Sequence, residues 1–280
     1  MISYNDFATA IEQTYDAMRN HAVRMPRGSW QGVDVSKKPD MVAYELLHHA
    51  FKVPMRLTAL SHYREQIKPN LPWADDHFME RVSGNPLNPG IEWRNWPWGA
   101  SADRFRIDPA SVGDPGSERI FDHTYAQRYW PRLAGRFPGG IIPDPSEDQP
   151  TPASRWGIYF EYGDLDDVVL ELVKEPTTRQ AILPIFFPED TGWRADRRKP
   201  CSVSYTFMMN NTKGLDIFYH LRSCDLIRHY RDDLYLTVRL LLWILDRLRS
   251  IDPWWNSIAP GDFACYIQNL HVFANDMRNL

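Results

Sequence analysis

Between Leu234 and Leu245 the chain carries its longest apolar run, interrupted by Tyr235 and Arg239, within a helix that reads from Asp233 to Leu248. It is too short and too interrupted to cross a bilayer, which takes about 20 consecutive apolar residues. A long helix that is apolar nearly all round has to be enclosed by other elements. The segments on either side supply them. Residues 180–187, 202–209 and 215–221 are short apolar runs that read as three buried strands, and 264–267 reads as a further strand. Upstream the pattern is helical. Residues 3–22 place Ile11, Tyr15 and Met18 on one face, and Pro26-Arg27-Gly28-Ser29 breaks the run. Residues 41–51, 74–82 and 164–174 read as further helices, the second ended by Gly84-Asn85-Pro86 and the third by Glu175-Pro176. Helices first and strands later predict an α+β fold in one domain over residues 1–280. Residues 99–119 and 137–155, rich in Pro, Gly, Ser and Asp, read as loop insertions.

Composition narrows the class. The chain has 280 residues, 43% of them apolar, with 11 Trp, 13 Tyr and 13 Phe, enough for a core that is stable alone. Its net charge of −4 gives no basic excess, so polymeric nucleic acid is not an expected partner. The cysteines are Cys201, Cys224 and Cys265. Their odd number and wide spacing suit neither a disulfide framework nor a metal site. The first residues lack a leader's basic-then-apolar layout. A cytoplasmic protein with no membrane span and no metal is the expectation.

The chemistry-bearing residues stand in one order. Lys199-Pro200-Cys201 opens a strand, with Arg197 and Arg198 just before it. Neighbouring cations favour a reactive thiolate, although from position alone a buried inert cysteine is the plainer reading. Arg222-Ser223-Cys224-Asp225 follows, then Asp233, Gly261-Asp262-Phe263 and His271-Val272-Phe273. Tyr125 lies in His123-Thr124-Tyr125-Ala126-Gln127-Arg128, and Trp93, Trp96 and Trp98 form an aromatic cluster that suits core or a pocket for a flat heterocycle.

This succession resembles thymidylate synthase and its pyrimidine nucleotide hydroxymethylase relatives. The resemblance covers residues 164–273 well and is weak before 120. It implies a thymidylate synthase-like fold, with a large mixed sheet flanked by helices and a sheet-to-sheet homodimer. It also implies roles. Cys201 would attack C6 of the pyrimidine and make C5 a carbon nucleophile. Arg222 and Ser223 would hold the 5′-phosphate, helped by Arg179 from the neighbouring subunit. The family's second arginine there is Gln180 in this chain, which moves part of that work to Arg24 or Arg27, with Arg27 preferred. Asp225 would bind the pterin of 5,10-methylenetetrahydrofolate, with Trp98 beside the folate. Tyr125 would join the proton-transfer network. Glu80 is the choice for the water-relaying glutamate, with Glu92 and Glu45 as alternatives. For each of these there is a plain alternative: an ion pair for Arg222 or Asp225, a surface arginine for Arg179, a core tyrosine for Tyr125, a solvated glutamate for Glu80.

Two positions bear on the substrate. Asp233 falls where the methylating synthases carry a uracil-reading asparagine. A carboxylate accepts from N4–H of cytosine and meets O4 of uracil with lone pair against lone pair. Asp233 could instead cap the following helix, a role for which Asp232 is the better placed. His271 matches the family's sugar-binding histidine, while its tyrosine partner is Phe273 here. That departure fits a ribonucleotide, as in the CMP hydroxymethylases of nucleoside-antibiotic pathways. The expected substrate is CMP, with dCMP next, and dUMP or a silent nucleotide- or RNA-binding relative as further readings. Family synthases close over folate with a further C-terminal strand and tail. The chain stops at Leu280, shortly after Phe273, so a wetter pocket and hydroxymethylation are expected.

Overall fold

In a computed structural model, residues 1–30, 33–86, 90, 123–134, 163–191 and 199–280 are described. The Trp93–Trp98 cluster, Glu92, Arg197, Arg198 and both expected loop insertions lie outside them. The chain divides into two compact units. The first holds residues 1–70, 169–182 and 201–280, the second 71–168 and 183–200.

The first unit is built on a mixed sheet, and helices flank it. Strands β1 (Ile2–Ser3), β5 (Ala43–Pro54), β10 (Ala259–Phe273), β8 (Gly214–Leu221), β7 (Ser202–Met209) and β6 (Ile182–Pro184) follow in that order across it. β2 (Val23–Met25) adds to β5, and β9 (Cys224–Asp225) adds to β10. A separate two-stranded ribbon joins β3 (Ser29–Trp30) and β4 (Val33–Asp34). β10 is central: it runs antiparallel to β5 and parallel to β8 and β9.

Helix α1 (Phe7–His21) begins at Asp6, whose side chain accepts from Thr9 N–H, a regular N-cap. Its buried face includes Ile11 and Met18. Helix α2 (Leu60–Ile67) packs on α1. The apolar stretch becomes α7 (Tyr230–Ile251), which packs on α2, β8 and β10 and buries Leu234, Leu241, Ile244 and Leu248. No helix among the described residues is long and apolar enough to cross a membrane.

Several expectations need correction. Residues 41–51 form most of strand β5, not a helix. Ala43, Glu45, Phe51 and Val53 are buried in alternation, the period of a strand with one face covered. Hydrophobic pairing to β10 along that length overrides the helix propensity of Leu and Ala. Likewise 264–267 is only the middle of β10, and 180–187 contracts to β6. Helix α7 starts at Tyr230, ahead of the expected residue 233, with His229 at the cap position and no side-chain cap bond. Neither Asp232 nor Asp233 caps it.

In the second unit, helix α3 (Trp73–Val82) matches its expected span. Short helices α4 (Tyr125–Tyr129) and α5 (Pro131–Ala134) follow. Thr124 and Gln127 close a reciprocal capping box on α4. Arg128 and Asp190 form a buried two-point ion pair at 2.9 and 2.8 Å. Helix α6 (Leu165–Lys174) spans the boundary between the units.

Candidate functional site

In the first unit, the ends of β7 and β8 bring two motif segments together. The N–H of Arg222 donates to the carbonyl of Cys201 at 2.9 Å, one step beyond the Ser202–Leu221 pair. Cys201 is half-buried and in no disulfide. Arg222 and Ser223 make the corner from β8 into β9, both half-buried, while Cys224 and Asp225 turn inward. Ser223 Oγ lies 3.4 Å from His271 Nδ1.

His271 has a carboxylate on each side across the sheet. Its strand partner on β5 is Glu45 and its partner on β9 is Asp225. Arg27 pairs with Glu45, and Asn269 Nδ2 donates to the same carboxylate at 2.6 Å. Asp225 Oδ1 accepts the N–H groups of Ile227 and Arg228 at 3.0 and 3.1 Å, and the Arg228 guanidinium stands 3.8 Å from Oδ2. Arg228 also reaches Asp276 at 2.6 Å. The ion partner of Asp225 is thus Arg228. Burial lowers the His271 pKa, against the pull of Asp225 and Glu45, while burial raises that of Asp225, against the pull of His271 and Arg228. Phe273 stacks edge-on to His271 with centroids 5.3 Å apart.

The adjacent acids Asp232 and Asp233 diverge. Asp232 is buried and accepts both the N–H and the Nδ2 of Asn70 at 2.8 Å. Asp233, half-buried in the first turn of α7, has Cys224 Sγ 3.6 Å from its Oδ2. Burial first, then the charge of Asp233, push the Cys224 and Cys265 thiols well above their ordinary range. Arg179 is exposed on the turn after α6, where Thr178 Oγ1 accepts from Gln180 N–H at 3.1 Å.

The second unit holds Glu80 and Tyr125. Glu80 is buried on α3. The next residue, Arg81, donates back one turn to His77 Nε2 at 3.0 and 2.6 Å and lies 4.0 Å from the centroid of the Tyr125 ring. His77 and His123 both pack edge-on to Tyr125. His77 stacks on Trp73. Its pKa falls well below the ordinary value through burial and then Arg81, while Glu80 pulls the other way. Trp98 lies outside the described residues.

Sequence reasoning missed the partners rather than the residues. Glu45 was the third choice for a relaying glutamate, in a segment read as helical. Only the pairing of β5 with β10 sets it beside His271. Nothing in the sequence pointed to Arg228 or to the Cys224–Asp233 contact. Chemically, the first unit combines a partly accessible thiol, a guanidinium and hydroxyl at a strand corner, an imidazole between carboxylates and a half-buried carboxylate. No family model matches the chain, and no curated protein matches it.

Proposed function

We propose that this protein is a pyrimidine nucleotide hydroxymethylase of the thymidylate synthase kind, acting on CMP. The reaction is CMP + 5,10-methylenetetrahydrofolate + water giving 5-hydroxymethyl-CMP + tetrahydrofolate. The observation that carries the reading is the hydrogen bond from Arg222 to Cys201. It joins a nucleophile and an anion-binding corner that are distant in the chain, as addition to a phosphorylated pyrimidine requires.

In this reading the Cys201 thiolate adds to C6, and C5 attacks the methylene carbon supplied by the folate. Loss of the C5 proton expels tetrahydrofolate and leaves an exocyclic methylene; hydroxide adds to that carbon, and the electrons returned to C5 re-form the C5–C6 double bond as the Cys201 thiolate leaves C6. Arg222 and Ser223 hold the phosphate, Asp233 accepts from the N4 amine, and His271 takes a sugar hydroxyl. The ribose assignment rests on Phe273 standing where the resembled family carries a sugar-binding tyrosine. Support for a homodimer comes from the outward face of β7, which leaves Met208 44% exposed. A second copy would cover it and would bring Arg179 to its partner's phosphate.

One observation favours a silent nucleotide-binding relative: Asp225, which would hold the pterin, is already engaged by its own turn and by Arg228. Tritium release from 5-³H-CMP with methylenetetrahydrofolate separates the two. Release that disappears in Cys201→Ala is expected. No release with CMP, dCMP or dUMP overturns the enzyme reading. A larger kcat/KM for dCMP overturns the ribose assignment, and dihydrofolate formation overturns hydroxymethylation.

A further inference from the structure

Glu45 is a buried carboxylate to which the proposed chemistry gives no task. Its side chain is 4% exposed, and both oxygens are engaged: Arg27 donates to Oε1, and Asn269 Nδ2 donates to Oε2 at 2.6 Å. It stands directly opposite His271 across β5 and β10, and His271 Nδ1 lies 3.4 Å from Ser223 Oγ at the corner beside Arg222. A line of neighbours thus runs from Arg27 through Glu45 and His271 to the anion-binding corner. Its members are held unequally. Asn269 sits on β10 itself, whereas Arg27 ends a segment, residues 23–28, that is exposed throughout. The charged groups about His271 are Glu45 from β5, Arg27 from the chain after β2, and Asp225 from β9, with Arg228 and Asp276 behind Asp225. Of these side chains Arg27 is the most exposed, at 41% against 29% for Arg228. Burial lowers the His271 pKa; Asp225 and Glu45 pull it up, and Arg27 pushes it down.

We infer that Glu45 is a positioning residue that exchanges partners when the nucleotide binds: Arg27 leaves it for the 5′-phosphate, and Glu45 then stabilises His271 as an imidazolium that donates to the sugar. The inference rests on the hydroxymethylase reading of the site. A phosphate carries more charge than a carboxylate already shared with an amide, and it suits the guanidinium fork. Once Arg27 has gone, Glu45 is a buried charge with a neutral donor only, which is costly. A proton taken from solvent by His271 supplies the missing counter-charge from directly across the sheet. An imidazolium donates from both ring nitrogens, where a neutral ring donates from one. Binding therefore raises the His271 pKa. Its contribution to affinity is complete below the value in the free protein and is lost as pH rises through the value in the complex. The buried carboxylate thus links the two ends of the ribose phosphate: capture of the phosphate charges the group that holds the sugar.

The test has two readings. The first follows the His271 ring by NMR against pH in the free wild type, in free Arg27→Gln and in the wild type with CMP. The ring should titrate at higher pH in Arg27→Gln than in the free wild type, and at higher pH again than the free wild type when CMP is bound. The second is calorimetry of CMP binding between about pH 8 and 6.5, where the phosphate keeps most of its second charge, in buffers of different ionisation enthalpy. The wild type should take up protons on binding, and its affinity should rise as pH falls by up to about tenfold per pH unit, the limit for one proton. Glu45→Gln, whose amide oxygen still accepts from Asn269, should bind CMP without that uptake and with a flat pH profile. An unmoved His271 titration in Arg27→Gln, wild-type binding without proton uptake, or an uptake that persists in Glu45→Gln overturns the inference alone. Failure of the wild type to bind CMP overturns the reading of the site, and the inference with it.

Discussion

Cys201 and Arg222 share one main-chain hydrogen bond of 2.9 Å, so the thiol and the guanidinium leave adjacent strand ends at a fixed separation. A side-chain change at Cys201 leaves that bond in place. Cys201→Ser should therefore bind CMP within about threefold of the wild type and lose roughly a thousandfold or more in turnover. Calorimetry and tritium release on the same preparation measure the two quantities. A parallel loss of binding would mean that the thiol contributes to ground-state affinity.

The three cysteines should also differ sharply toward an alkylating agent. Cys201 is half-buried, whereas Cys224 and Cys265 are buried and their thiols are pushed up. Reaction goes through thiolate. Iodoacetamide at neutral pH should label Cys201 at least about a hundredfold faster than the other two, read by peptide mass spectrometry, and unfolding in urea should equalise them.

Asp232 ties the first turn of α7 to Asn70 through two 2.8 Å bonds. Asp232→Ala should cost about 1.5–3 kcal/mol of stability, because a charged acceptor is lost and the half-buried donors of Asn70 are left behind. Urea unfolding measures it. Asp233→Ala, one residue on, should cost much less stability and change CMP binding instead.

The Arg128–Asp190 pair is 2% and 8% exposed at its two side chains, and Asp190 also accepts from Phe187 N–H at 2.8 Å. Removing one partner of a buried pair strands the other charge. Asp190→Ala should cost about 3–5 kcal/mol, and hydrogen exchange should show the loss first in α4 and α5.

Acid should weaken the fold from near neutrality. The His77 pKa is depressed in the folded protein by burial and Arg81, so below the ordinary histidine value, about 6.5, the unfolded chain takes up a proton that the folded chain refuses. Stability then falls as pH drops, by up to about 1.4 kcal/mol per pH unit for each such histidine. His271 and His49 shift in the same direction. Asp225 has its pKa raised, so it retains a proton that the unfolded chain releases, and it offsets part of the loss at lower pH. Urea midpoints between pH 7 and 5 should decline in the wild type and decline less in His77→Gln.

The elements legible in the sequence were those whose pattern is local. Helix α3 and strands β7 and β8 follow from their own periodicity, and α7 from its apolar length. Strand β5 was not legible, because Leu46-Leu47-His48-His49 reads equally well on a helix, and only pairing with β10 decides it. The same holds for the site. Cys201, Arg222, Asp225 and His271 stood out through their order in the chain. Glu45, Arg228 and Asn70, which hold those groups or their neighbours in place, carry no local mark, because they become partners only through long-range register.

The row Glu45–His271–Asp225 also bears on how the sheet finds its pairing. Side chains alternate between the faces of a strand, so a slip of one residue between β10 and β5 would set Val272 or Leu270 against the Glu45 carboxylate. Each misregistered arrangement buries a charge against hydrocarbon. The charged row thus marks the correct alignment of three strands, and any process that must distinguish the native register from its neighbours during assembly can read it there.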